Sequence, residues 1–69
     1  MAITVLSNGD LVSLPDGATV NDLLDHLGLR ARWVIVERNG EPVARRDIPS
    51  TVLADGDRLE LVRAVAGGC

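Results

Sequence analysis

Residues 18–28, Ala18-Thr19-Val20-Asn21-Asp22-Leu23-Leu24-Asp25-His26-Leu27-Gly28, decide the fold. Val20, Leu23, Leu24 and Leu27 fall at helical spacing and predict one apolar stripe. Asn21, Asp22, Asp25 and His26 fall largely on the opposite side. Thr19 is a fitting N-cap, Asp22 meets the unpaired amides and positive dipole of the first turn, and Gly28 suits the residue just past the end. A short helix with a single apolar stripe needs one apolar surface to cover it. The remainder of the chain reads as the strands that supply it.

On the N-terminal side, Ala2 to Leu6 alternates with Ile3 and Val5 on one face, Ser7-Asn8-Gly9-Asp10 is a tight turn, and Leu11 to Leu14 returns with Val12 and Leu14 toward the core. On the C-terminal side, Trp33-Val34-Ile35-Val36 is apolar on both faces, as an interior strand requires. Asn39-Gly40 turns the chain into Pro42-Val43-Ala44, whose proline restricts it to a sheet edge. A polar connection from Arg45 to Ser50, with a 3₁₀ turn around Ile48-Pro49, precedes the Asp55-Gly56-Asp57 turn and a last strand from Arg58 to Val65. This order predicts an α+β, β-grasp (ubiquitin-like) fold: a mixed sheet of four to five strands, one main helix on one face, and the first and last strands parallel at the centre. Residues 1–65 form the expected domain and 66–69 a tail.

Composition narrows the function. Sixty-nine residues bury a thin core and leave little depth for an enclosed active site. Ten acidic residues face seven basic ones, all arginine, for a net charge of −3. That balance disfavours nucleic acid as a partner, and the absence of lysine removes Schiff-base chemistry. No apolar run has membrane-spanning length and no leader pattern opens the chain, so the cytoplasm is the expected location and no membrane partner is expected. One His and one Cys give no metal site by themselves. Asp55 and Asp57 read as turn formers rather than a calcium loop, His26 as a helix-end or surface group, and Arg45-Arg46 as a solvated edge.

The chemistry-bearing motif is Ala66-Gly67-Gly68-Cys69, directly after a β-rich strand. A glycine carboxylate has no Cβ beside it, so it enters a narrow channel. It is a poor electrophile until ATP converts it to an acyl-adenylate, which a sulfur nucleophile attacks to give a thiocarboxylate. Such a carrier uses a partner's catalytic groups. Taken alone, a terminal Gly-Gly is a weak signal.

Residues 18–24, Val36-Glu37-Arg38-Asn39-Gly40, Pro42-Val43-Ala44-Arg45, residues 53–60 and Val65-Ala66-Gly67-Gly68 together resemble the ThiS family of sulfur carriers in order and spacing, over nearly the whole chain. The chain is similar also to molybdopterin carriers, though shorter, and the Asn39-Gly40-x-x-Val43-x-Arg45 spacing tips toward ThiS. The resemblance implies that the chain is not an enzyme. It implies that Gly68 is adenylated by a ThiF-like adenylyltransferase using ATP, with no cofactor bound by the carrier, and that its thiocarboxylate supplies a ThiG-like thiazole synthase in thiamine biosynthesis. Carriers for molybdopterin, cysteine or tRNA thiolation share the same tail chemistry. A ubiquitin-like interaction module with an idle tail is the reading from another class.

Cys69 departs from the family pattern, because Gly68 in a peptide bond has no free carboxylate. Removal of Cys69 by a C-terminal peptidase is the expectation taken forward. A cysteine adduct formed during cysteine synthesis and an N-to-S shift to a thioester are the alternatives, beside a dispensable thiol. Trp33, Ile35, Leu6 and Val62 are the candidate partner interface, expected as an apolar patch on the sheet face away from the helix.

Overall fold

The structure, a computed structural model, describes residues 1–63. Five strands form one mixed sheet: β1 (Ala2–Ser7), β2 (Asp10–Pro15), β3 (Val34–Arg38), β4 (Glu41–Val43) and β5 (Arg58–Arg63), in the order β2-β1-β5-β3-β4. One α-helix, α1 (Val20–His26), lies between β2 and β3 in sequence. The pairings β1–β2, β3–β4 and β3–β5 are antiparallel, while β1 and β5 run parallel. This is the expected β-grasp arrangement.

Both hairpins turn on Asn-Gly. Asn8 and Asn39 have φ of 50° and 53°, followed by Gly9 and Gly40 at 87° and 85°. Two successive residues at positive φ match the twist of the flanking strands, and Asn followed by Gly reaches that geometry at least strain. The first hairpin pairs Ile3 with Leu14 and Val5 with Val12, which puts all four on the helix side, where they are buried.

Helix α1 begins at a reciprocal capping box. The Asp22 N–H donates to the Thr19 hydroxyl at 3.2 Å, and the Thr19 N–H donates to the Asp22 carboxylate at 2.8 Å. Seven residues are too few for a helix to persist alone, so its stability comes from packing. Val20, Leu23 and Leu24 are fully buried against Val5, Val36 and Leu59 from three strands of the sheet. Leu27 departs from the expected stripe: it is the C-cap, beyond the last helical residue, and is 38% exposed. Gly28 follows at φ 73°.

Three further expectations are corrected in detail. Trp33 lies outside β3, in the 3₁₀ turn Ala31–Trp33. The 3₁₀ turn of the second connection is Arg45–Asp47, just before Ile48 rather than around it. That connection is also less polar than it reads, since Ile48 is buried; beyond it Leu53 is buried as well, and an isolated Thr19–Val52 bridge ties this segment to the helix start. The expected end of the last strand at Val65 and the boundary between residues 65 and 66 lie outside the described residues.

Asp57 is the buried ionic joint. Its carboxylate accepts from Arg38 Nε at 2.9 Å, Asn39 Nδ2 at 3.0 Å and the Ala54 N–H at 2.8 Å. Burial raises its pKa. The Ala54 amide, the Asn39 amide and the Arg38 guanidinium outweigh burial and hold it below the ordinary aspartate value. A depressed native pKa contributes stability that is present above the unfolded-state value and lost as pH falls through the folded-state value. Asp57→Asn should therefore destabilise the protein by about 2–3 kcal/mol at neutral pH. In urea unfolding, the gap from the parent should narrow at pH 3. An equal gap at both pH values would contradict this assignment.

Candidate functional site

The sheet's two faces differ in kind. Toward α1 the side chains are aliphatic and buried, and on the other face the register lines up a mixed, exposed surface. Ile35 sits opposite Val62, and each is just over half exposed. Leu6 sits opposite both Leu11 on β2 and Arg58 on β5. Leu6 is half-buried, while Leu11 is 75% exposed. Glu37 and Glu60 face each other between the two apolar pairs, a like-charge juxtaposition that costs stability in isolation. Of the four residues expected at an interface, Ile35, Val62 and Leu6 therefore share this face. Trp33 is exposed in the turn leading into β3. Leu11 belongs to the same surface. The alternation of the N-terminal hairpin assigned it to the face away from the core, but its meeting with Leu6 depends on the register.

The strand that leads toward the Gly-Gly motif is β5. Its start is fixed by the Asp55-Gly56-Asp57 turn. The Thr4 N–H donates to Asp55 Oδ1 at 2.8 Å, the Gly56 N–H donates to the Thr4 carbonyl at 2.8 Å, and Asp57 holds the ionic joint. The two aspartates are thus occupied by the Thr4 and Ala54 amides and by the Arg38 and Asn39 side chains. Among the described residues no group of three or more His, Cys, Asp or Glu side chains is placed to hold a metal. Farther along, Asn8 reaches across to β5. Its Nδ2 donates to the Leu61 carbonyl at 3.0 Å, and the Leu61 N–H donates to its Oδ1 at 2.8 Å. An open depression lined by Leu6, Asn8, Gly9, Arg58, Glu60 and Val62 lies at this end of the strand.

The other polar candidates sit apart from this strand. His26 is exposed at the last turn of α1. Arg45 donates from Nη2 to the Arg32 carbonyl at 3.2 Å and lines a surface hollow with Arg30 and Arg32. Ala66, Gly67, Gly68 and Cys69 lie outside the described residues. No helix among the described residues is long and apolar enough to cross a membrane.

Comparison with known proteins agrees with this geometry. The ThiS family model matches residues 3–68. The chain is 36% identical over 63 residues to the sulfur carrier protein ThiS of Bacillus subtilis, covering 91% of this chain and 96% of that protein. It is 39% identical over 61 residues to a thiazole synthase of Paramagnetospirillum magneticum, covering 88% of this chain but only 19% of that protein. The crystal structure of ThiS from Geobacter metallireducens superposes with a TM-score of 0.79 at 30% identity, covering 96% of this chain and all of that one. With a match that runs from β1 to the terminal Gly-Gly on a β-grasp framework, the chain belongs to the ThiS family of sulfur carriers.

Proposed function

We propose that this carrier transports sulfur as a thiocarboxylate on Gly68 for thiazole formation in thiamine biosynthesis, in the cytoplasm. A ThiF-like adenylyltransferase transfers AMP from ATP to the Gly68 carboxylate and releases pyrophosphate. A sulfur donor displaces the AMP, and a ThiG-like thiazole synthase takes the sulfur. Removal of Cys69 by a peptidase comes first, because only then is Gly68 a carboxylate.

The observation that carries this reading is the family match over residues 3–68, which includes Gly67 and Gly68. A five-residue segment the length of 64–68 would span roughly 16 Å if fully extended, enough to reach a partner's reaction centre from the edge of the carrier. The thiazole synthase match supports that enzyme as the sulfur acceptor over a molybdopterin enzyme, since a segment like this chain occurs within a polypeptide of that name. The outer sheet face, with Ile35 and Val62 at its centre and Leu6, Leu11 and Trp33 around it, is the docking surface for these partners. Its apolar side chains are close to the end of β5, so docking there delivers the tail to the same partner.

Loading tests the reading directly. A chain ending at Gly68, mixed with a ThiF-like enzyme, ATP and a sulfide source, should gain the mass of sulfur replacing oxygen. The chain that retains Cys69 should gain none. Loading of both forms at one rate sinks the processing step, and loading of neither sinks the carrier reading. Gly68→Ala should leave the unfolding midpoint unchanged and slow adenylation by about tenfold or more, because a Cβ narrows the fit of the acyl group in the channel. Ile35→Glu lies on an exposed position, so stability should change by no more than about 0.5 kcal/mol. The KM of the activating enzyme for the carrier should nonetheless rise several-fold. An unchanged KM would remove this face from the interface.

A further inference from the structure

β1 stops at Ser7, while its parallel neighbour β5 continues to Arg63. On the side facing β1, the Asp57 carbonyl accepts from the Leu6 N–H and the Leu59 carbonyl accepts from the Asn8 N–H, both at 2.9 Å. Leu61 is the next β5 residue whose backbone groups point that way, and no β1 residue remains to meet it. Its two groups are instead satisfied by the Asn8 carboxamide, which accepts from the Leu61 N–H at 2.8 Å and donates to the Leu61 carbonyl at 3.0 Å. A carboxamide carries the donor and acceptor of a peptide unit, so this side chain continues the ladder by one step after the strand has ended.

The positive φ of 50° at position 8 accounts for asparagine or glycine there. Of the two, only asparagine has a side chain that supplies the two bonds to Leu61. On the opposite edge, Ile35 and Val62 are the last pair among the described residues whose backbone groups face each other. Among the described residues, the Asn8 side chain and Ile35 are therefore the attachments on the two sides of β5 nearest to the C-terminal segment.

We infer that Asn8 is a positioning residue for loading: by clamping Leu61 it holds the strand that leads toward Gly68 in place, and so fixes the base from which the acyl end reaches the activating enzyme. The inference rests on the carrier reading above. Asn8 touches no reacting atom and acts through Leu61. Docking through the outer face sets the KM, whereas loss of the clamp spreads the positions of the acyl end and lowers the rate within the complex.

Asn8→Gly, in a chain ending at Gly68, keeps the turn and deletes both bonds. Asn8→Asp keeps the acceptor for the Leu61 N–H and loses the donor. Hydrogen exchange at the Leu61 amide should accelerate at least tenfold in Asn8→Gly and less in Asn8→Asp. At a temperature where all three forms are fully folded, kcat for thiocarboxylate formation should fall about fivefold in Asn8→Gly, with an intermediate loss in Asn8→Asp and little change in KM. A purely structural role would leave kcat of the folded molecules unchanged, and that result overturns the inference. So does unaltered Leu61 exchange, whether or not the parent chain is loaded. Failure of the parent to load is a separate outcome that counts against the carrier reading. Should Asn8→Gly fail to fold, Asn8→Asp carries both measurements.

Discussion

The parallel contact between β1 and β5 is the constraint on which the rest of the molecule depends. It is short, with only Leu6 opposite Arg58 and Ser7 opposite Leu59 in register. A parallel pair cannot be closed by a tight turn, so the intervening chain must cross over and return. Here that crossover contains α1, the β3–β4 hairpin and the loop that carries Ile48 and Leu53. The contact is reinforced where it is weakest. Asp55 and Gly56 bond to Thr4 at the entry, and the Asn8 backbone and side chain bond to Leu59 and Leu61 at the exit. Asp57 adds a tie to Arg38 and Asn39, so the turn before β5 is fixed to β1 and to the β3–β4 hairpin at once.

The core is thin, and every layer of it is aliphatic. α1 contributes Val20, Leu23 and Leu24 with no measurable exposure, and the sheet returns Val5, Val36 and Leu59 at about 1%. Each such side chain is worth about 1.5–3 kcal/mol of burial, against a backbone ordering cost of similar size per residue. Burial on one face alone leaves a chain of this length marginal. That is why so many of its polar groups are used as joints: the capping box on α1, the Asp57 cluster and the Asn8 clamp each hold an element end that packing does not reach.

The same economy separates stability from function. The helix side of the sheet is committed to the core. The opposite side is free to carry Ile35, Val62, Leu6 and Leu11 in the open, together with an unfavourable Glu37–Glu60 juxtaposition. In the reading proposed here, the carrier contributes a docking face and an acyl end, and the partner enzymes contribute catalysis. A small domain suits that division, because the carrier then needs no catalytic groups of its own.

Much of this was determined by the sequence itself. The spacing of Val20, Leu23 and Leu24, the caps at Thr19 and Gly28, the two Asn-Gly turns and the alternation in each strand are local patterns, and local geometry obeys them. The order of those elements also specifies the β-grasp fold, and the Gly-Gly motif with the resemblance to ThiS points to a sulfur carrier. Tertiary structure alone decided the rest, because it depends on which distant residues meet. Ile48 is buried because the crossover folds back over the open side of the core, although its neighbours Arg46, Asp47 and Ser50 read as surface. Leu27, at the C-cap, is 38% exposed although its spacing continues the stripe. Leu11 joins Leu6, Ile35 and Val62 on one surface, and Asn8 meets Leu61 across 53 positions, only because the β1–β5 register places them there. A period of two or 3.6 residues reports which side of an element a residue occupies; it carries no information about what lies opposite.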